Sequence, residues 1–203
     1  MKQAKLLKMS HILIDKTDDK ARAVDILSTM LREDGANDEA VEMLNSLLDQ
    51  DELVNDIALV LMPLYREQNN DEAFIRVSER KIATCDDDFE KRGLFLDAAK
   101  VAEQNDALAN KAFDFLASAL KAQPTDDEII SEIETLTVRQ NAYSKLVDLC
   151  DKILEENSDP DVTVRLSLLA ARYTEENLND SEKTIALYER ILEIDEFSEV
   201  ALS

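Results

Sequence analysis

The sequence predicts an all-α fold, a solenoid of antiparallel helix pairs, and three observations predict it. The first is internal repetition. Leu94-Phe95-Leu96-Asp97-Ala98-Ala99-Lys100-Val101-Ala102-Glu103-Gln104-Asn105 aligns with Leu166-Ser167-Leu168-Leu169-Ala170-Ala171-Arg172-Tyr173-Thr174-Glu175-Glu176-Asn177 at an offset of 72 residues. The register extends to Lys111/Lys183 and Leu120/Leu192, and backwards to Ile57/Ile129, Gln68/Gln140, Asn69/Asn141 and Asp87/Asp159. Self-similarity at a fixed period marks a repeat architecture. The second observation is the scarcity of breakers, with two Gly and three Pro in 203 residues. Strand-and-turn folds use more of both. The third is the connections: short polar turns between amphipathic stretches, which force consecutive helices to lie antiparallel.

The elements follow in order. Residues 2–15 form a helix whose apolar side is Leu6, Leu7, Met9, Ile12, Leu13 and Ile14. Residues 18–33 form the next, with Ala23, Val24, Ile26, Leu27, Met30 and Leu31 inward and Gly35 as its stop. Asn37 caps a third helix carrying Val41, Leu44, Leu47 and Leu48. Residues 52–68 contain Pro63, which removes a ladder hydrogen bond and predicts a kink or break. Helices are then expected at 71–84, 89–104, 106–122, 126–140, 142–157, 161–177 and 180–195, with another starting at Ser198. Thr125 and Glu128 have capping-box spacing, and Asp159-Pro160 sets a cap before a first-turn proline. Leu116, Leu120, Leu146, Ile153, Leu168, Tyr188 and Leu192 are the expected core. No linker divides the chain, so residues 1–203 are expected to form one domain.

A period of 72 is two units of about 36, each a helix–turn–helix. The unit ending at Pro124 resembles the tetratricopeptide repeat, with Ala112, Leu116, Ala119 and Pro124 at the family's spacing. The unit ending near Glu196 keeps Ala170, Tyr173 and Tyr188, with Thr184, Ile191 and Glu196 where Ala, Ala and Pro are usual. Leu64-Tyr65 with Asn69-Asn70 and Ala73 resembles part of another unit, and residues 2–34 resemble a degenerate one. The resemblance is to long, divergent bacterial arrays. It implies a right-handed superhelix of about five to six helix pairs and a partner-binding concave face. A HEAT-like or generic α-solenoid is the structural alternative. The resemblance places Arg92, Phe95, Ala99 and Glu103 on the concave face. It adds Ser131, Thr135 and Arg139 from the next unit, then Ser167, Ala171 and Glu175.

Charge narrows the function. There are 45 acids and 23 bases, and 37 of the acids but 16 of the bases follow residue 40. Such a surface repels phosphate backbones, so nucleic acid is not the expected partner. A protein or peptide partner, basic by preference, is. Two cysteines, Cys85 and Cys150, form no disulfide framework and suit a reducing, cytoplasmic setting. No apolar run approaches the roughly 20 residues of a membrane span.

No chemistry of catalysis is legible. The single histidine, His11, lies far in sequence from both cysteines, so no nucleophile–base pair is indicated. The clusters Asp86-Asp87-Asp88-Glu90, Asp126-Asp127-Glu128 and Asp159/Asp161 lack the alternation and glycine of a calcium loop. They fall at helix starts, where carboxylates cap and meet the positive dipole end. No phosphate loop, metal cluster or cofactor motif is present. The expectation is a non-catalytic interaction scaffold. The alternative is a structural or regulatory segment of a larger protein that packs on neighbouring repeats or self-associates through exposed array ends. The new helix at Ser198 adds the expectation that the chain is part of a longer array.

Overall fold

The computed structural model describes residues 2–17, 19–35, 37–196, 198 and 201. Among these the protein is all-α. The helices are α1 (Lys2–Lys16), α2 (Lys20–Asp34), α3 (Asp38–Ser46), α4 (Asp51–Glu67), α5 (Asp71–Thr84), α6 (Asp88–Glu103), α7 (Ala109–Ala122), α8 (Asp127–Gln140), α9 (Tyr143–Glu156), α10 (Pro160–Tyr173) and α11 (Ser181–Leu192). A π-helix, Thr174–Leu178, continues α10. The helix expected from Ser198 falls on residues 197–203, most of which lie outside the described set.

The chain divides into two compact units, residues 1–109 and 110–203. In the first, α1 packs on α2, α2 on α3 and α4, α4 on α5, and α5 on α6. In the second, α8 packs on α9, α9 on α10, and α10 on α11. Neighbours joined by so few residues must run antiparallel. Leu27, Leu44, Ile57, Leu61 and Ile75 fill the first core, and Leu120, Ile129, Ile133, Leu146 and Leu166 the second.

Helix boundaries are set by side-chain caps. Asn37 accepts from the Ala40 N–H (3.0 Å), Asn70 from Ala73 (3.2 Å), Asp87 from Glu90 (2.7 Å) and Asp180 from Lys183 (3.0 Å). Asp159 accepts from Asp161 (2.8 Å) and Val162 (3.4 Å), with Pro160 in the first turn. Each satisfies a backbone donor that the first turn leaves orphaned. At α8 the cap is Asp126, accepting from Glu128 and Ile129 at 3.0 Å each, rather than Thr125. A carboxylate one residue on reaches the same orphan donors and outcompetes the hydroxyl. The repeat is visible in the backbone itself. Asn69 and Asn141, one period apart, are both left-handed at φ 53° and 52°. In each turn the next residue bonds five residues back, Asn70 N–H to the Tyr65 carbonyl and Ala142 N–H to the Thr137 carbonyl, both at 2.9 Å. This is the helix-terminating geometry that asparagine tolerates better than most non-glycine residues.

Three expectations need correction. Helix α4 runs through Pro63 without a break. The carbonyl deprived of its partner belongs to Leu59, and both Leu59 and Pro63 face solvent, where water can serve that carbonyl. On α1, Met9 and Ile12 point outward, 39% and 42% exposed, while Leu7, Ser10 and Leu13 are buried. Leu168, Tyr188 and Leu192 are half-buried, whereas Leu116, Leu120, Leu146 and Ile153 are buried as expected.

Candidate functional site

The second unit has two broad concavities: one of about 1160 Å³ along the capped starts of α8 and α10, and a shallow groove of about 870 Å³ with an aromatic floor. The walls of the groove are the outer side of α8 (Ser131, Thr135, Val138, Arg139), the start of α9 (Tyr143), the end of α10 (Arg172, Tyr173) and the π-turn (Glu176, Asn177). An aromatic layer forms its floor: Tyr143 and Tyr173 stack at 5.8 Å between centroids, 27° apart. The Arg172 guanidinium covers Tyr173 at 4.9 Å and also donates to the Glu134 carboxylate. The Tyr173 hydroxyl donates to the same Glu134 oxygen at 3.0 Å. Burial pushes the Tyr173 phenol upward, so it stays a protonated donor. Glu134 therefore fixes both the cation and the ring, and the cation–aromatic contact adds to the pair.

The π-turn presents Glu176 and Asn177. Thr174 is buried, and its hydroxyl donates to the Ala170 carbonyl at 2.7 Å. That carbonyl also receives the Thr174 N–H, so two donors share one acceptor where the ladder widens. Such back-bonding loosens a helix, and π-turns insert extra residues on one face. The turn ends at Asn179, left-handed at φ 55°.

The first unit has a groove at the same place in the repeat, about 270 Å³, lined by Arg66, Asn69, Asp71, Phe74, Asp97, Lys100, Val101 and Gln104. Arg66 crosses it, lying over Phe74 at 4.8 Å and reaching Asp97 at 3.5 Å. Asn105 donates to Asp71 at 3.0 Å.

The sequence-derived groove residues separate into two groups. Ser131, Thr135 and Arg139 line the second-unit groove together. Glu175 is exposed, close to it in sequence, and accepts from the Tyr188 hydroxyl at 3.3 Å. Arg92 and Glu103 are half-buried. Phe95, Ala99, Ser167 and Ala171 are buried and belong to the core. The caps explain the split. Asp87, Asp126 and Asp159 are 39 and 33 residues apart, so the period of 72 is divided unequally. A transfer by 36 misses by three residues and turns the face by about 60°. Counted from the caps, Thr135 matches Leu96 and Leu168, and Arg139 matches Lys100 and Arg172. Of the side chains missed by transfer, Val138, Tyr143, Arg172, Tyr173, Glu176 and Asn177, cap counting recovers Arg172, at the position of Arg139.

Elsewhere, His11 meets Glu39 at 3.2 Å on the surface. Cys150 is buried, and burial pushes its thiol up to about 12, so it is inert as a nucleophile in the folded chain. Among the described residues no three His, Cys, Asp or Glu side chains converge to hold a metal ion, and no helix is long and apolar enough to cross a membrane.

Fold and groove together define an all-α protein of sequential antiparallel helix pairs with an open, mixed-charge groove in its second unit. No family model matches the chain, and no curated protein does. Among solved structures it is similar to one from Pseudomonas aeruginosa, described as the functional characterization of pilF. The identity is 14% over 98% of this chain and 94% of that one, with a TM-score of 0.34. A superposition that loose carries no argument, and the fold assignment rests on the helices and turns described above.

Proposed function

We propose that this chain is a non-catalytic protein–protein interaction scaffold that receives a peptide segment of its partner in the second-unit groove. The observation that carries the reading is the groove itself: a rigid floor of Tyr143, Tyr173 and Arg172 beneath exposed polar and apolar groups from two helices and a π-turn. Stacked aromatics and arginine anchors of this kind dominate binding where they occur. Val138, 52% exposed, offers an apolar contact, and Ser131, Thr135 and Asn177 offer hydrogen bonds. The groove pairs Glu134 and Glu176 with Arg139 and Arg172, so its local charge is balanced. The preference for a basic partner comes from the formal charge of −22 on the whole chain, which steers encounter more than it sets affinity.

The test starts from affinity purification and partner identification. The binding segment is then titrated against the wild type, Val138→Glu and Arg172→Ala. Each substitution is expected to weaken binding about tenfold or more with helicity unchanged. Wild-type affinity in both variants would overturn the groove assignment. Raising salt is expected to slow association; an affinity flat in salt would overturn the basic preference.

A further inference from the structure

Two exposed helix faces carry opposite charge around an apolar centre. On α1 the outward side presents Lys5, Lys8, Met9, Ile12 and Lys16, all exposed. Among the described residues none of these three lysines makes an ion pair; the neighbouring Lys2 reaches Glu33 at 3.3 Å, and His11 reaches Glu39 at 3.2 Å on the side facing α3. The only acid on α1 is Asp15. This face gathers three lysines in a chain with almost twice as many acids as bases.

On α11 the outward side presents Glu182, Ile185, Glu189 and, just beyond the helix, Glu193. Ile185 is 57% exposed, and none of these three glutamates makes an ion pair among the described residues. The bases of this helix lie elsewhere: Lys183 pairs with Asp151 at 2.6 Å, and Arg190 is half-buried.

The two stripes match in length. Each spans 11 residue steps, about 16 Å at the helical rise of about 1.5 Å per residue. Laid antiparallel in the register that sets Ile12 opposite Ile185, Lys8 falls opposite Glu189, and Lys16 and Lys5 come within one residue of Glu182 and Glu193. Opposed charges flanking an apolar contact fix partner, direction and register in helix pairing. Reversing the direction sets Lys8 against Ile185 and Ile12 against Glu189.

We propose that the outer face of α1 docks on the outer face of α11 of a second copy of this chain. The contact joins two different surfaces, so it is head-to-tail: each copy keeps one free face, and growth proceeds to rings or short filaments. A single helix face is a small interface, so the association is weak, with a dissociation constant on the order of 10–100 µM. Mass action then makes it a property of concentrated or locally clustered protein.

Sedimentation equilibrium across that concentration range, at about 0.15 M salt, tests it. The wild type is expected to show a weight-average mass rising steadily past the monomer. K5E/K8E and E182K/E189K are each expected to stay monomeric, weakened at least about tenfold, with helicity intact by circular dichroism. Mixed, the intact α11 face of the first meets the intact α1 face of the second, whereas the two reversed faces keep one opposed pair, K8E with E189K, and set like charges together at K5E with Glu193 and at Lys16 with E182K. The native contact can therefore form only once, and the mixture should stop at a 1:1 pair. If a charge-reversed variant loses helicity, Ile12→Ser and Ile185→Ser replace it, and the same two-component mixing is read. A wild type that is monomeric throughout overturns the proposal. So does association that survives both charge reversals, or a mixture that stays monomeric. All substituted residues lie outside the second-unit groove, so failure here leaves the groove reading untouched.

Discussion

The grooves of the two units occupy equivalent positions in the repeat and are closed to different degrees. In the first unit Arg66 reaches across, lies on Phe74 and pairs with Asp97, and about 270 Å³ is left. One period later these positions hold Val138, Leu146 and Leu169. Val138 stands where Arg66 stood, and about 870 Å³ lies open. The second unit has instead reversed the ion pair: the anion Glu134 is on the earlier helix and the cation Arg172 on the later one. Arg172 lies on the adjacent Tyr173 while it pairs with Glu134 of α8. The same backbone period thus yields a smaller groove where Arg66 lies over Phe74 and a larger one where Val138 takes its place.

The comparison can be broken at its foundations first. Phe74 and Leu146 are equivalent and buried, 2% and 0% exposed. Leu146→Ala is expected to cost about 2–5 kcal/mol and Phe74→Ala about 3–5 kcal/mol, read by chemical denaturation. A loss under about 0.5 kcal/mol at either site would mean that the position is not core. Next are the left-handed turns. Asn69→Ala and Asn141→Ala should each cost about 1–2 kcal/mol, and the glycine substitutions about nothing. Unequal costs at the two sites would end their equivalence.

The ion pairs should separate the units more finely. Glu134 is only 24% exposed at its side chain and serves two donors, so Glu134→Gln is expected to cost about 1–2 kcal/mol. Asp97 and Arg66 are each more than half exposed, so Asp97→Asn should cost no more than about 0.5 kcal/mol. Equal costs would show that the first groove is pinned as firmly as the second.

The smallest effect is one of pH. In the first unit Lys81, nearly buried, donates to Glu90 at 2.7 Å. That hydrogen bond, with the lysine's charge, holds the Glu90 carboxyl below its ordinary 4.5. A depressed carboxylate contributes fully above its unfolded value, and the contribution is lost as pH falls through the lower folded value. Glu90→Gln should therefore flatten the acid side of the stability curve below about pH 4.5. An unchanged acid limb would remove the pair from the list of stabilising contacts.

Much of this was legible in the sequence. The period of 72, the Asn69/Asn141 turns and the Asp87/Asp159 caps appear in the backbone where the alignment put them. The acidic clusters at 87, 126 and 159 cap helices, as their positions implied. What was not legible was the division within the period. Periodicity fixes the sum of two helical hairpins and leaves each half free, so the transferred face rotated into the core at Phe95, Ala99, Ser167 and Ala171. The outward turn of Met9 and Ile12 was hidden for a related reason. Six apolar residues on a 15-residue helix do not by themselves say which of them lack a neighbour.

Packing within each unit is almost wholly between helices adjacent in the chain: α1 with α2, α4 with α5, α9 with α10, α10 with α11. Contacts so close in sequence demand little loop closure before they form. A chain wired this way should fold quickly, within about a millisecond, and without waiting for a distant segment to arrive. It should also loosen progressively, one hairpin at a time, so that amide hydrogens in α1 exchange well before those of α4 and α5.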